Sequence, residues 1–210
     1  MAQNYRHTLF DDAVKALQEK HGSRASYLKL DAGADGTPDR LTDQELGFIA
    51  QRDSFYMASV SAEGWPYMQH RGGPAGFLRH VDGNRIGFAD YRGNKQYISA
   101  ANLAGNDRVS LFLMDYPNRD RLKLVGHAHS VELADDPALV TSLMPDGYRA
   151  SPERAFLIDV IGWEWNCSQH ITPRFTEAEI SAAIQPMAAE LNQLRAENAA
   201  LHAQLSGDKP

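Results

Sequence analysis

The sequence predicts an α+β protein that is mainly β, an antiparallel barrel with helices packed around it. Short segments rich in strand-forming residues follow one another in hairpin order between residues 54 and 165. Helical segments are inserted between these strands without regular alternation, which favours an antiparallel barrel. No G-x-G-x-x-G motif follows a strand, so a dinucleotide-binding parallel sheet is disfavoured.

Two helices are predicted before the first strand. Thr8 to His21 has apolar residues at helical spacing on one side. Residues 31–40, DAGADGTPDR, are rich in turn formers and predict a loop. Thr42 and Glu45 form a capping-box pattern, so a second helix is predicted from Thr42 to Gln51.

Seven strands are predicted after the second helix, because β-branched and aromatic residues alternate with turn signals there. Helices are predicted between some of them over 94–106 and 136–144, the latter with Pro137 in its first turn. The predicted strands are 54–61, 66–72, 76–81, 85–90, 109–115, 122–133 and 155–165.

From Thr176 the composition shifts to Ala, Glu, Leu and Gln, which predicts a C-terminal helix. An Asn at an a position is typical of a parallel two-stranded coil, and Glu190 at g could pair with Arg195 at the next e of a partner chain. The alternative is an amphipathic helix that lies against its own barrel. The repeat with spacings of four and three consists of Ile180, Ile184, Met187, Leu191, Leu194, Asn198, Leu201 and Leu205.

Composition argues against several classes of function. The net charge of −6 disfavours a broad nucleic-acid surface. The chain has no run of about 18 apolar residues, so no membrane span is expected. Cys167 is the sole cysteine, and the first residues lack the apolar core of a signal peptide, which fits a cytoplasmic protein. No Cys or His cluster has zinc spacing, so we expect no metal.

Three short stretches hold residue types suited to binding chemistry. QHRGG (69–73) ends a predicted strand with an arginine beside two glycines. DYRGNKQ (90–96) precedes the helix predicted from Asn94, where backbone N–H groups, the helix dipole and Lys95 favour an anion. WNCSQHITPRF (165–175) collects polar and aromatic residues in a loop after the last strand.

In this order, the motifs resemble the pyridoxamine 5'-phosphate oxidase-like family of FMN-binding split barrels. The resemblance runs from about Gln51 to Phe175 and rests on EGWPYMQHRGG, GFADYRGNKQY, NDRVSLFLMDY, RLKLVGHA and WNCSQHITPRF. It implies a split β-barrel and a homodimer with FMN at the subunit interface, each site built from both chains. The implied organisation is an N-terminal helical segment over 1–50 packed on the barrel, the FMN-binding barrel over 51–175, and a C-terminal helix over 176–210 as a dimerisation zipper.

The resemblance also implies which residues contact the cofactor. Arg71 and Lys95, with Asn94, would hold the FMN phosphate, Arg71 through its bidentate fork. Gly72 and Gly73 would let the flavin lie against the backbone. Arg121 would place a positive charge beside the flavin ring, where the oxidase has Gln. The implied cofactor-binding residues are Gln69, His70, Arg71, Gly72, Phe88, Ala89, Asn94, Lys95, Arg121, Trp165, Gln169 and Arg174.

The chain departs from the true oxidase where that enzyme grips its substrate. An Arg-x-His pair reads roughly as His170 and Thr172 here, and a lysine is replaced near Pro74. The resemblance therefore implies a related oxidoreductase that acts on an unidentified small molecule. Two alternatives stay open, a non-catalytic flavin-binding module and a haem- or deazaflavin-binding relative on the same barrel, with His127, His129 or His170 as a haem ligand.

Overall fold

Seven strands of this protein form one antiparallel sheet, seen in a computed structural model that describes residues 3–31 and 33–207. The strands are β1 (Ser54–Val60), β2 (Pro66–Gly72), β3 (Arg79–Asp82), β4 (Arg85–Tyr91), β5 (Arg108–Asp115), β6 (Asp120–Glu132) and β7 (Pro152–Trp165). The helices are α1 (Asn4–Leu9), α2 (Asp12–Lys20), α3 (Arg24–Asp31), α4 (Asp43–Ala50), α5 (Ile98–Gly105), α6 (Pro137–Ser142) and α7 (Glu177–Gly207).

The order of the strands is β2-β1-β5-β6-β7-β4-β3, so β2 and β3 are the two edges. The sheet curls until strands far apart in this order meet through their side chains. The rings of Phe55 on β1 and Phe88 on β4 are 5.4 Å apart, and Phe88 stacks on Phe156 of β7 at 5.3 Å. These aromatic contacts form the centre of a buried core. The predicted class, an antiparallel split barrel with packed helices and a C-terminal helix, is confirmed.

The predicted third strand, 76–81, begins three residues later in the structure. Gly76 has a φ of +82°, and the N–H of Phe77 donates to the carbonyl of Pro74 at 3.0 Å. This turn lets the side chains of Phe77 and Leu78 enter the core without strand pairing. The predicted strand 66–72 matches β2 residue for residue.

Helices differ more from the sequence prediction than strands do. The segment predicted as one helix over 8–21 is two, α1 and α2, because Asp11 has an extended ψ of 179° and accepts from the N–H of Val14 at 2.8 Å. Helix α3 was not predicted, and the predicted loop 31–40 includes residue 32, outside the described residues. The capping box of Thr42 and Glu45 is confirmed at the start of α4.

The N-terminal helix is anchored to β7 by one carboxylate. Asp39 accepts from the backbone N–H groups of Gln3, Asn4 and Tyr5 at 2.6, 2.9 and 2.9 Å. Gly162 of β7 leaves room for this chain, because a Cβ there would lie 2.6 Å from the backbone nitrogen of Tyr5. Asp39 is a buried residue outside α1, and its carboxylate accepts the hydrogen bonds that the side chain of an N-cap residue usually accepts.

The chain divides into two compact units. The first contains the sheet and α1 to α6; the second contains residues 116–118 and the described chain from Ile171, mainly α7. Thr176 and Glu179 cap the start of α7, since the N–H of Thr176 donates to Glu179 at 2.7 Å. None of the described helices is long and apolar enough to cross a membrane. Residues 1–2 and 208–210 of the predicted terminal segments lie outside the described residues.

Candidate functional site

Arg71 lies in the seam where the edge strand β2 approaches β4. Its side chain is only 11% exposed and donates to Asp90 of β4 across 2.6 Å, from Nη1 to Oδ1. The guanidinium carbon is 5.1 Å from the ring centre of Phe156 and 5.6 Å from that of Phe88. Two aromatic rings and one carboxylate therefore surround this cation between β2 and β4.

Asp90 is shared between two arginines. Its second oxygen is 3.5 Å from Nη1 of Arg154, which itself pairs with Glu132 at 2.8 Å. Burial raises the pKa of Asp90 above its usual value, while Arg71 and Arg154 oppose the rise. Burial likewise lowers the pKa of Arg71, against the charge of Asp90. The two side chains are 11% and 15% exposed, so this ion pair is largely shielded from water.

One nitrogen of Arg71 is left without a hydrogen bond. Its Nε is buried, and within residues 3–31 and 33–207 it has no hydrogen-bond partner. A buried donor that loses its water costs about 1–3 kcal/mol when nothing replaces that water. The unpaired donor suits a ligand acceptor brought to Arg71.

A cavity of about 60 Å³ opens beside Arg71. This space suits a small anionic group, because its lining includes the cationic side chains of Arg71, Lys95 and Arg154. Lys95 and Asn94 lie on its rim, and Arg154 and Glu153 form another wall. The full lining is Gln69, Arg71, Asp90, Tyr91, Gly93–Ala100, Glu153, Arg154 and Phe156.

The loop before α5 lines this cavity, and α5 begins later in the chain than the sequence predicts. The helix begins at Ile98, not at Asn94, because Lys95 and Tyr97 adopt positive φ values of 59° and 53°. Such values are uncommon outside glycine and often mark functional loops. The side chain of Asn94 accepts from the N–H of Gln96 at 3.3 Å and supports the turn.

The first turn of α5 lines the cavity. A helix N-terminus is therefore present at the predicted site, but it begins at Ile98, four residues after the predicted start at Asn94. Tyr97 stands at the N-cap, and its side chain makes no capping hydrogen bond. The N–H groups of the first helical turn have no acceptor within the helix. The positive end of the α5 helix dipole therefore lies at the cavity, together with the positive charges of Lys95 and Arg71.

A second cavity, of about 180 Å³, also adjoins Arg71. It shares Arg71, Asp90 and Tyr91 with the first. The hydroxyl of Tyr91 is buried and has no hydrogen bond within the described part of the chain. Burial raises the pKa of Tyr91, so the phenol stays protonated and can donate. The remaining lining is His70, Gly72, Phe77, Phe88 and Ala89.

The paired glycines have a packing role of their own. A Cβ on Gly73 would lie 2.9 Å from the ring of Phe77, so this glycine is required by the core. A Cβ on Gly72 would come within 3.0 Å of the His70 ring. The close approach that the two glycines predict is therefore made by the chain's own aromatic side chains.

Arg121 and Trp165 lie at the opposite end of β6 and β7. Trp165 is nine residues beyond Phe156 on β7 and pairs with Leu122. At about 3.3 Å per residue this is roughly 30 Å along the strand, a length greater than that of a single FMN molecule. The sequence-predicted site residues thus form two separate groups in one chain.

The second group has contacts of its own. The indole N–H of Trp165 donates to Glu45 at 2.8 Å, and its ring meets Phe48 edge-to-face at 4.8 Å. The Nε of Arg121 is buried, and none of the described residues accepts a hydrogen bond from it. Gln169 is exposed in the loop after β7. Arg174, in the second unit, lies over the ring of Tyr116 at 4.9 Å.

Sequence reasoning missed several residues around Arg71. Asp90 lies inside a stretch singled out for anion binding, but the sequence indicates no role for it, and Tyr91 is a candidate proton donor there rather than a wall of the site. Arg154 lies in β7, where the sequence shows only a strand pattern. Glu45 was recognised as part of a capping box, and its burial beneath Trp165 had no local signal.

A curled antiparallel sheet with open edges and a basic cavity in the seam defines the class of split-barrel proteins. Within that class, a family model described as pyridoxamine 5'-phosphate oxidase matches residues 41–165. The match covers more than half of the chain, so this chain belongs to that family. No curated protein matches it.

Several solved structures align with this chain at low sequence identity. HupZ of Group A Streptococcus is 15% identical, with a TM-score of 0.49 over 64% of this chain and 100% of its own. An FMN-binding protein from Syntrophomonas wolfei is 12% identical, with a TM-score of 0.44 over 71% and 97%. A protein related to general stress protein 26 from Clostridium acetobutylicum is 16% identical, with a TM-score of 0.45 over 65% and 94%.

Proposed function

We propose that this protein binds FMN and acts as an oxidoreductase on a small molecule. The observation that carries the proposal is the buried guanidinium of Arg71, which lines a phosphate-sized cavity beside Lys95 and keeps an unpaired Nε. Family membership supports the same cofactor. The donor set is cationic and rich in N–H groups, as a phosphate requires.

Arg71, Lys95 and the first turn of α5 would hold the FMN phosphate. Arg71 offers a planar fork and Lys95 a point charge, and both are within reach of a group in the smaller cavity. Tyr91 would donate a hydrogen bond from the wall shared by both cavities. His70, Gly72, Phe88 and Ala89 would contact the rest of the cofactor along the larger one.

The other residues would come from a second copy of the chain. Arg121, Trp165, Gln169 and Arg174 would complete each site across a homodimer interface. This is supported by the roughly 30 Å along β7 that separates Trp165 from the cavities of its own chain. FMN supplies the redox chemistry when bound, and the chain binds, orients and shields it.

The first test is the absorption spectrum of the purified protein, before and after heat release of bound ligand. We expect a flavin spectrum and release of FMN. A Soret band would overturn the proposal in favour of haem. A colourless protein that also fails to bind added FMN would overturn cofactor binding altogether.

A second test concerns the phosphate. Lys95 is exposed, so Lys95→Ala should leave folding intact and weaken FMN binding by about 1–3 kcal/mol, the range of a charge-assisted hydrogen bond. Lys20→Ala, an exposed lysine on α2, is the control. Fluorescence titration with FMN and with riboflavin separates the phosphate from the ring, because only FMN binding should weaken. Equal affinities of Lys95→Ala and wild type for FMN would contradict the assignment.

Arg71 is tested by a conservative variant. Arg71→Lys keeps a charge beside Asp90 and removes the fork, so FMN affinity should fall by about 1–3 kcal/mol. Alanine is less suitable, since it would leave a buried Asp90 short of one partner. The same titration with riboflavin serves as the control.

A further inference from the structure

Helix α7 carries a continuous apolar stripe that is exposed. Its members are between 46% and 61% exposed: Ile180, Ile184, Met187, Leu191, Leu194 and Leu201. A stripe of large apolar side chains on a 31-residue helix is a surface that needs a cover. The side chain of Leu205, the last apolar residue of the repeat, lies outside the described residues.

The spacing of the stripe defines what can cover it. Spacings of four and three put four residues at a positions and four at d positions. The a positions are Ile184, Leu191, Asn198 and Leu205, and the d positions are Ile180, Met187, Leu194 and Leu201. A 3.5-residue repeat stays aligned over several turns only against another helix that supercoils with it. Asn198 replaces an apolar side chain at one a position, where two asparagines can bond to each other in a parallel pair.

The flanking charges match a second copy of the same helix. In a parallel pair each g residue meets the e residue five positions later on the partner. Glu190 at g would face Arg195, and Glu197 at g would face His202. In each of these g–e pairs a glutamate would face arginine or histidine, as expected when two identical helices pair in parallel and in register.

Pro186 interrupts the hydrogen bonds of α7 but not the apolar stripe. It lies within the helix, at a c position that faces away from the a and d seam. The seam on its C-terminal side, from Met187 to Leu201, holds five consecutive a and d positions.

We propose that α7 is an association surface whose partner is α7 of a second copy of this chain, parallel and in register. Pairing covers the stripe of each helix with that of the other. The proposal does not depend on the cofactor, and a colourless protein would leave it standing.

Disulfide trapping in the full-length protein tests the register. Cys167→Ser removes the one native thiol, which is exposed. In that background, Leu194→Cys and Leu201→Cys place a thiol at two d positions. Ala196→Cys and Ala203→Cys place one at f positions, two residues along and on the opposite side, as matched controls. Mild oxidation is followed by non-reducing electrophoresis.

We expect both d variants to form covalent dimers at least tenfold faster than their f controls. Antiparallel helices could bring at most one of the two d positions opposite itself, so trapping of only one would overturn the parallel register. Equal rates at d and f positions, or none at either, would overturn the pairing. Light scattering of the oxidised protein then shows whether the helices pair within a dimer or join dimers, and either mass supports a second copy as partner.

Discussion

At the residue scale, the main feature of the candidate site is the buried ion pair of Arg71 and Asp90. The carboxylate neutralises a guanidinium that would otherwise be buried alone. It also competes with any anionic ligand, because two negative charges would then share one cation. Arg154, 3.5 Å from Asp90, would provide a second partner for this carboxylate if an anion bound to Arg71. Under the proposed function, the strength of ligand binding would therefore depend on the charge of Asp90.

This dependence gives a prediction for Asp90→Asn. The amide still accepts from Arg71 but carries no charge, so the variant should bind FMN severalfold more tightly at pH 7, by about 1 kcal/mol. Because burial raises the pKa of Asp90, wild type protonates this group at a higher pH than an exposed aspartate would. The advantage of the variant should therefore shrink as the pH falls from 7 towards 4.

Parallel FMN titrations of both proteins over this range provide the measurement. The phosphate of FMN titrates in both, so its contribution cancels in the ratio of the two affinities. A ratio that is constant with pH, or that grows as the pH falls, would contradict the role of Asp90.

At the scale of elements, the anchoring of α1 on β7 depends on the absence of one side chain. The backbone of Tyr5 crosses Gly162 so closely that a Cβ would be 2.6 Å from its nitrogen. Backbone atoms cannot move aside as a flexible side chain can. Asp39 holds the same turn of α1 from the other direction through three backbone N–H groups.

We therefore expect opposite effects from two Gly→Ala substitutions. Gly162→Ala should lower the free energy of unfolding by about 1–3 kcal/mol, the usual penalty for overpacking. Gly47→Ala, in α4 with open space around it, should raise that free energy by about 0.5–1 kcal/mol through helix propensity. Urea unfolding followed by circular dichroism measures both. A Gly162→Ala protein as stable as wild type would show that α1 does not lie on Gly162.

At the scale of the whole molecule, the separation of the two residue groups along β7 has a consequence for assembly. If each FMN takes the Arg71 and Lys95 group from one chain and the Arg121 and Trp165 group from the other, a homodimer has two composite sites. A dimer of two differently damaged chains then has one site with both defects and one with none.

Subunit complementation measures this directly. We expect Lys95→Ala and Arg121→Ala each to weaken FMN binding when expressed alone. Co-expressed with different affinity tags and purified as mixed dimers, they should bind FMN with wild-type affinity at half of their sites. Mixed dimers with no wild-type site would show that each site is confined to one chain.

The local order of the chain follows from its sequence. The capping box at Thr42, strand β2 and the heptad repeat of α7 arise from residues within a few positions of one another, and their patterns can be read directly. The family and most of the residues lining the two cavities follow from short motifs as well. The interruption at Asp11 and the late start of α5 are harder to predict, since each depends on the φ or ψ of one or two residues.

Tertiary structure alone decided the chemistry around Arg71. Asp90 is 19 residues away and Arg154 lies on β7, and they meet Arg71 only because the curled sheet brings β2 against β4. The same curvature buries the unpaired Nε, whereas the length of β7 separates Trp165 from the cavities of its own chain. The sequence determined which residues were available for an anion site and for a coil. The long-range packing of the sheet determined which of them meet, because contacts across a barrel leave no periodic trace in the chain.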